Sequence, residues 1–246
     1  TLTVDDDGNV VGAAGDTILL DSSVEPNAEM LARIKELGGP IEELKAKVVA
    51  QSDAVIEGDR TVCRAEECAM GNLVTDAMLD RVKGQGIDIA FQNGGGLRAT
   101  IDKGEVTMGE VLTVLPFQNT LSTFQIKGQG LLEALENGVS QVEEGAGRFP
   151  QVAGMKFIWD PAAEPGKRIV EVMVGSDGNY VPLDPEKVYG VVSNNYVRNG
   201  GDGYKMFKVD AMNAYDYGPG LEVVVADYLA ANGPYKPFVA DRITRK

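Results

Sequence analysis

The sequence predicts a mixed α/β fold in which helices and strands share one domain, and three observations carry that prediction. From about Ala46 onward, apolar runs of strand length alternate with stretches of helical periodicity. The later part is strand-rich, with "GMKFIWD", "RIVEVMV" and "YVPL" set apart by turn residues. Ahead of both lies one long amphipathic stretch that reads as a connector.

The elements follow in chain order. "LTVDDDGNVVGAAGD" alternates apolar residues around an acidic turn, which predicts a hairpin with strands at 2–4 and 10–13. A calcium loop is excluded there, because the frame that aligns Asp5, Asp7 and Gly8 puts Thr3 and Ala14 at its first and last ligand positions. From Glu25, apolar residues Leu31, Ile34, Leu37, Ile41, Leu44 and Val48 recur at helical spacing through "GGP", so the helix is expected to kink or break near Pro40. Strands are then expected at 48–56, 87–91 and 121–126, and helices at 69–82, 108–115, 131–142 and 221–231. "GSDGN" at 175–179 reads as a hairpin turn, and "VYGVVSNNYV" as a strand. No internal repeat or low-complexity tract is visible.

Composition narrows function. The 246 residues can bury a sizeable core, and 43% hydrophobic with 24% charged residues is ordinary for a soluble globular chain. No apolar run approaches the ~18 residues of a membrane span. "TLTVDDDGNV" lacks the basic and apolar regions of a signal peptide, so the chain is expected to begin mid-protein or after processing. With 23 basic against 37 acidic residues, the net charge of -14 disfavours nonspecific binding to nucleic acid or anionic membrane. Histidine is absent, which removes the commonest metal ligand and the usual general base near neutral pH. A self-contained hydrolase is disfavoured.

Cys63 and Cys68 in "CRAEEC" cannot complete a zinc site alone. A local disulfide worth roughly 2 kcal/mol, and with it an oxidising compartment, is the favoured expectation, with two free thiols as the alternative. "NGGGLR", 93–98, follows a short apolar strand and ends in a cation, which suits close approach of backbone to a polar ligand. "NGGDGY", 199–204, is a second glycine-rich loop after a second apolar strand, and loops at strand ends can converge on one cleft. "LPFQN", 115–119, presents Phe117 after a proline. Taken singly, each has a plain structural explanation: a tight turn, a core ring, or a surface salt bridge of Arg64 with Glu66 or Glu67. Together they supply arginines, glycine loops and rings suited to a flat, phosphorylated ligand. "GQGLLE" lacks the third glycine of a dinucleotide fingerprint and reads as a helix start.

In order and spacing, "CRAEECAMGNLVTDAM", "FQNGGGLR", "LPFQNTL" and "SNNYVRNGGDGYKMF" resemble the C-terminal substrate-binding domain of the 5'-nucleotidase family. The resemblance covers about Ala46 to Lys246. It implies a mixed-sheet domain preceded by a linker helix at 24–45 and, at 1–23, the end of an N-terminal metallophosphatase domain. In that family the N-terminal domain binds two divalent metals that activate water for phosphate-ester hydrolysis, while the C-terminal domain holds the nucleoside. The resemblance implies that Phe117 and Tyr204 sandwich the base, that Arg64, Asn93, Gly95 and Arg98 contact the nucleotide, and that Asp210 binds ribose. No catalytic residue or metal ligand is expected in this chain. The implied partners are a nucleoside or nucleotide and the metal domain, and the implied location is extracytoplasmic, whether periplasmic, cell-surface or secreted. Competing expectations are a standalone nucleoside or small-ligand module and part of a cyclic-nucleotide phosphodiesterase or 3'-nucleotidase. A sulfur-ester hydrolase is disfavoured by the paired rings.

Overall fold

A computed structural model describes residues 1–176 and 178–246; Asp177, at the centre of the expected "GSDGN" turn, lies outside the described residues. The chain divides into two compact units, 1–42 and 43–246. In the first, β1 (Leu2–Val4) and β2 (Val10–Ala13) pair antiparallel, with the turn tied by Asp5, whose carboxylate accepts from the Asp7 and Asn9 amides. Helix α1 (Ala28–Ala46) runs through Pro40 and into the second unit. Its apolar residues Leu31, Ile34, Leu37, Ile41 and Leu44 are all exposed.

The second unit contains β3 (Val48–Ser52), α2 (Arg60–Cys63), α3 (Ala69–Arg81), β4 (Ile89–Asn93), β5 (Gly104–Thr107), α4 (Met108–Val114), β6 (Leu121–Lys127) and α5 (Gly128–Gly138). There follow β7 (Pro150–Ala153), β8 (Met155–Trp159), β9 (Ile169–Ser176), β10 (Asn179–Pro182) and β11 (Val188–Asn194). The last elements are α6 (Asn195–Arg198), α7 (Lys205–Val209), β12 (Met212–Tyr215), α8 (Leu221–Ala231) and β13 (Ile243–Arg245). The expected helices at 69–82, 108–115 and 221–231 form within a residue of their predicted ends. The strand expected at 48–56 stops at Ser52, and Ile56 makes a separate bridge with Ile101. The helix expected at 131–142 is shifted to Gly128–Gly138, because "GQG" supplies its first turn.

A five-stranded mixed sheet in the order β12-β6-β11-β4-β7 forms the centre. β4 and β11 are parallel neighbours, while β6 and β7 flank them antiparallel. Every residue of β4 is buried, as a central strand covered on both faces requires. The alternation of side chains divides the core in two. Ala90, Ala153 and Val192 face a cluster with α3 and α8, whereas Ile89, Phe91, Phe124, Val152 and Val191 face one with α5 and α7. The second cluster extends to Phe157 and Trp159 of a four-stranded sheet, β10-β9-β8-β13. β9 and β10 pair antiparallel with Ser176 opposite Asn179, so the strands meet as the predicted hairpin does.

This topology fixes where a site can form. β4 and β11 run the same way, so the segments after Asn93 and Asn194 leave the same edge of the sheet. β6 and β7 run the opposite way, with Leu121 opposite Asn194 and Pro150 opposite Asn93. The segments that lead into them, 115–120 and 145–149, therefore arrive at that edge as well. Four loops converge there.

Candidate functional site

At this edge lies a cavity of about 550 Å³ lined by Arg64, Asn93, Gly95, Gly96, Arg98, Phe117, Asn119, Gly147, Tyr196 and Asp202. Five of the seven residues predicted from sequence are brought together: Arg64, Asn93, Gly95, Arg98 and Phe117. Tyr204 and Asp210 are not, and the structure corrects both.

Tyr204 is fully buried, stacked on Phe207 at 5.5 Å and edge-on to Phe91 at 5.1 Å. Its hydroxyl donates to the Arg148 carbonyl oxygen, and burial pushes its pKa well above the usual tyrosine range. A ring so enclosed has no free face for a base. Asp210 caps α7 on the exposed surface and lies outside the cavity. Tyr196 and Asp202, earlier in the same segment, line the cavity. The signal was present in "SNNY": Asn194 accepts from the Val197 amide and starts α6 directly at the end of β11, which sets Tyr196 in its first turn at the sheet edge.

The two rings of the cavity are both half-exposed, Phe117 at 53% and Tyr196 at 47%. Phe117 precedes Gln118, whose φ of 53° is left-handed and costs strain in a non-glycine residue, a tight turn that holds the ring out from the loop. The Arg98 guanidinium lies 5.5 Å from the Phe117 ring centre, within cation–π range. The Tyr196 hydroxyl donates to Asp202 Oδ1 at 2.9 Å, and Asn93 Nδ2 donates to Asp202 Oδ2 at 2.7 Å. Burial, and then the Asp202 hydrogen bond and charge, push the Tyr196 phenol upward. Its proton is therefore retained on the bond to Asp202.

Arg64 is positioned by the loop between the two cysteines. Cys63 and Cys68 are joined by a disulfide. Gln151 of β7 holds the loop from beneath, donating to the Cys63 and Glu66 carbonyls and accepting from the Cys68 amide. Arg64 itself donates to the Gly145 carbonyl at 3.0 Å, and among the described residues it forms no ion pair. Glu67, a sequence-based candidate for its partner, is turned instead to the amides of Ala240, Arg242 and Ile243. Burial first, then the charges of Arg98 and Arg60, hold the Arg64 guanidinium below its usual pKa. Two neighbouring cations at a partly enclosed site favour an anion between them.

The three glycines after β4 have an internal reason. A Cβ at Gly94 would collide with the Cys63 carbonyl, one at Gly95 would lie 2.8 Å from Gly147 Cα, and one at Gly96 would collide with the Gln92 side chain. The close visitor that "GGG" requires is the protein's own chain.

The two divalent metals implied by the resemblance find no ligand set here. The chain has no histidine, and no group of three or more Cys, Asp or Glu side chains among the described residues is arranged to hold an ion. The cavity is lined instead by two rings, a carboxylate and two guanidinium groups.

Comparison with known proteins agrees with the fold and the motifs. Residues 48–209 match the family described as 5'-nucleotidase, C-terminal domain. The chain is 40% identical over 201 residues to the trifunctional nucleotide phosphoesterase protein YfkN of Bacillus subtilis, covering 81% of this chain and 14% of that protein. It is 33% identical over 257 residues to the snake venom 5'-nucleotidase of Naja atra, covering 98% of this chain and 48% of the relative. Among solved structures, the 5'-nucleotidase precursor of Thermus thermophilus superposes with a TM-score of 0.83 at 38% identity, covering 99% of this chain and 48% of that one. The chain thus spans about half or less of the length of these relatives. It belongs to the 5'-nucleotidase family, as its C-terminal domain.

Proposed function

We propose that the cavity binds a nucleoside monophosphate, and that this chain is the substrate-holding part of an extracytoplasmic 5'-nucleotidase that hydrolyses such esters to nucleoside and phosphate. The observation that carries this is the pairing of two half-exposed rings, Phe117 and Tyr196, from separate segments on one cavity that also holds a carboxylate and two arginines. The rings offer stacking faces to a base. Asp202, an acceptor held from two sides, suits the hydroxyl donors of a ribose. Arg64 and Arg98 suit phosphate, which accepts charge-assisted bonds from guanidinium.

The catalytic metals belong, on this proposal, to an N-terminal domain whose last strands are β1 and β2; support comes from their pairing only with each other among the described residues. The disulfide supports an oxidising compartment. AMP and adenosine titrations test the binding assignment. Arg64→Ala and Arg98→Ala are expected to weaken AMP roughly tenfold while leaving adenosine within about twofold, since adenosine carries no phosphate. Equal losses for both ligands would remove the phosphate assignment. This chain alone, given zinc or manganese, is expected to release no phosphate from AMP; turnover that persists through repeated purification would contradict that.

The 40% identity to a protein named as a trifunctional nucleotide phosphoesterase favours a second reading, in which the parent enzyme also takes 3'- or cyclic nucleotides. Binding of 3'-AMP and 2',3'-cyclic AMP to the same cavity, lost in Phe117→Ala, would support it.

A further inference from the structure

We propose that Asn194 is a positioning residue that fixes the polarity of the site through a directional chain of amides ending on Asp202. The inference rests on the reading that the cavity takes a nucleoside. Asn194 and Gln92 are fully buried, so their amides have no solvent to turn toward, and Asn93 is nearly buried at the cavity wall.

The direction of the chain is set at one end by a group that can only donate. The Val197 backbone N–H bonds Asn194 Oδ1 at 2.9 Å, which compels the Asn194 NH2 to face the other way. There it donates to Gln92 Oε1 at 2.9 Å and to Asn93 Oδ1 at 3.0 Å. Gln92, with its oxygen engaged, turns its own NH2 to the same Asn93 oxygen at 3.3 Å. Asn93 Oδ1 thus receives two donors, and its NH2 is left facing Asp202 Oδ2 at 2.7 Å. Every amide orientation follows from the first. Gly96 keeps the space clear, because a Cβ there would strike Gln92 Nε2.

The consequence reaches both ligand-facing groups. Asn194 starts the short helix that carries Tyr196, and through Asn93 it holds the carboxylate that receives the Tyr196 hydroxyl. One buried side chain therefore sets ring and acid together, without reaching the cavity itself.

Asn194→Asp tests the relay because it keeps an oxygen for the Val197 N–H and removes the donor. Gln92 and Asn93 can then satisfy the new carboxylate only by turning, which points Asn93 Oδ1 at the Asp202 carboxylate. Calorimetric titration is expected to show roughly tenfold weaker binding of adenosine and of AMP alike. In the Asp202→Asn background the same substitution is expected to change the adenosine Kd by less than about twofold, because the amide at position 202 can donate to the turned Asn93 oxygen. An unchanged adenosine Kd in Asn194→Asp, or an equal loss in both backgrounds, overturns the relay. Adenosine binding that falls in Phe117→Ala but not in Asn194→Asp overturns the relay and leaves the nucleoside reading standing. If the wild type binds no adenosine, that reading fails, and side-chain amide NMR of the unliganded chain decides the relay. The same measurement serves if Asn194→Asp does not fold: Asp202→Asn is expected to shift the Asn93 NH2 resonances, and unmoved resonances overturn the relay.

Discussion

Two tyrosines eight positions apart show what a single residue's surroundings decide. Tyr204 follows "GGDG" directly, which makes it the more conspicuous aromatic in the sequence, yet the 3-10 turn at Gly201–Gly203, with Asp202 at φ 52°, carries it into the core. That turn conformation is invisible in the residue types alone. Tyr196 reads as the end of a strand, and only the cap by Asn194 reveals it as the start of a helix. The two assignments separate cleanly by mutation. Tyr204→Ala should destabilise the domain by about 3–5 kcal/mol, the range for removing a large buried aromatic. Tyr196→Ala, at a half-exposed ring, should cost less than about 1 kcal/mol of stability while weakening adenosine. Paired thermal unfolding of the two variants checks this, and similar melting shifts would contradict the placement of the rings.

At the scale of elements, the helices and most strands were legible: α5 buries Leu131, Ala134 and Leu135 at helical spacing, whereas β4, buried at every residue, shows as a short apolar run. Of the short strands, β1, β2 and β10 were legible too, but β5, β7, β12 and β13 were not. β13 has one buried residue, Ile243, and its parallel pairing with β8 depends on a distant group. The Glu67 carboxylate, itself buried, accepts from the amides of Ala240, Arg242 and Ile243, and so fastens the C-terminal segment to the disulfide loop. Glu67→Gln removes the charge from these bonds and should cost about 2 kcal/mol. Hydrogen exchange should then accelerate at Ala240, Arg242 and Ile243 more than in β4, and a uniform acceleration would contradict the tether. The disulfide closes a short loop, so replacing both cysteines by serine should cost about 2 kcal/mol in the chain-entropy account. It should also weaken AMP more than adenosine, because Arg64 sits inside that loop. An unchanged AMP-to-adenosine affinity ratio would show that Gln151 alone holds Arg64 in place.

For the whole molecule, the sequence motifs foretold which segments meet, since each glycine or proline loop follows or precedes an apolar strand. What they could not foretell was the order β12-β6-β11-β4-β7, set by pairings between residues far apart in the chain, which brings four loop ends to one edge. The overall charge of -14 repels anions, so phosphate capture, on the proposed reading, depends on the local field of Arg64 and Arg98. Raising salt should therefore weaken AMP while leaving adenosine nearly unchanged. The central claim is that Phe117 and Tyr196 form one base-binding slot, and calorimetry of adenosine with the wild type, Phe117→Ala and Tyr196→Ala tests it most directly. Stacking on an aromatic side chain is worth about 1–3 kcal/mol per base, so each substitution should weaken adenosine by roughly 5- to 150-fold. Measurable wild-type binding that survives unchanged in both variants would contradict it.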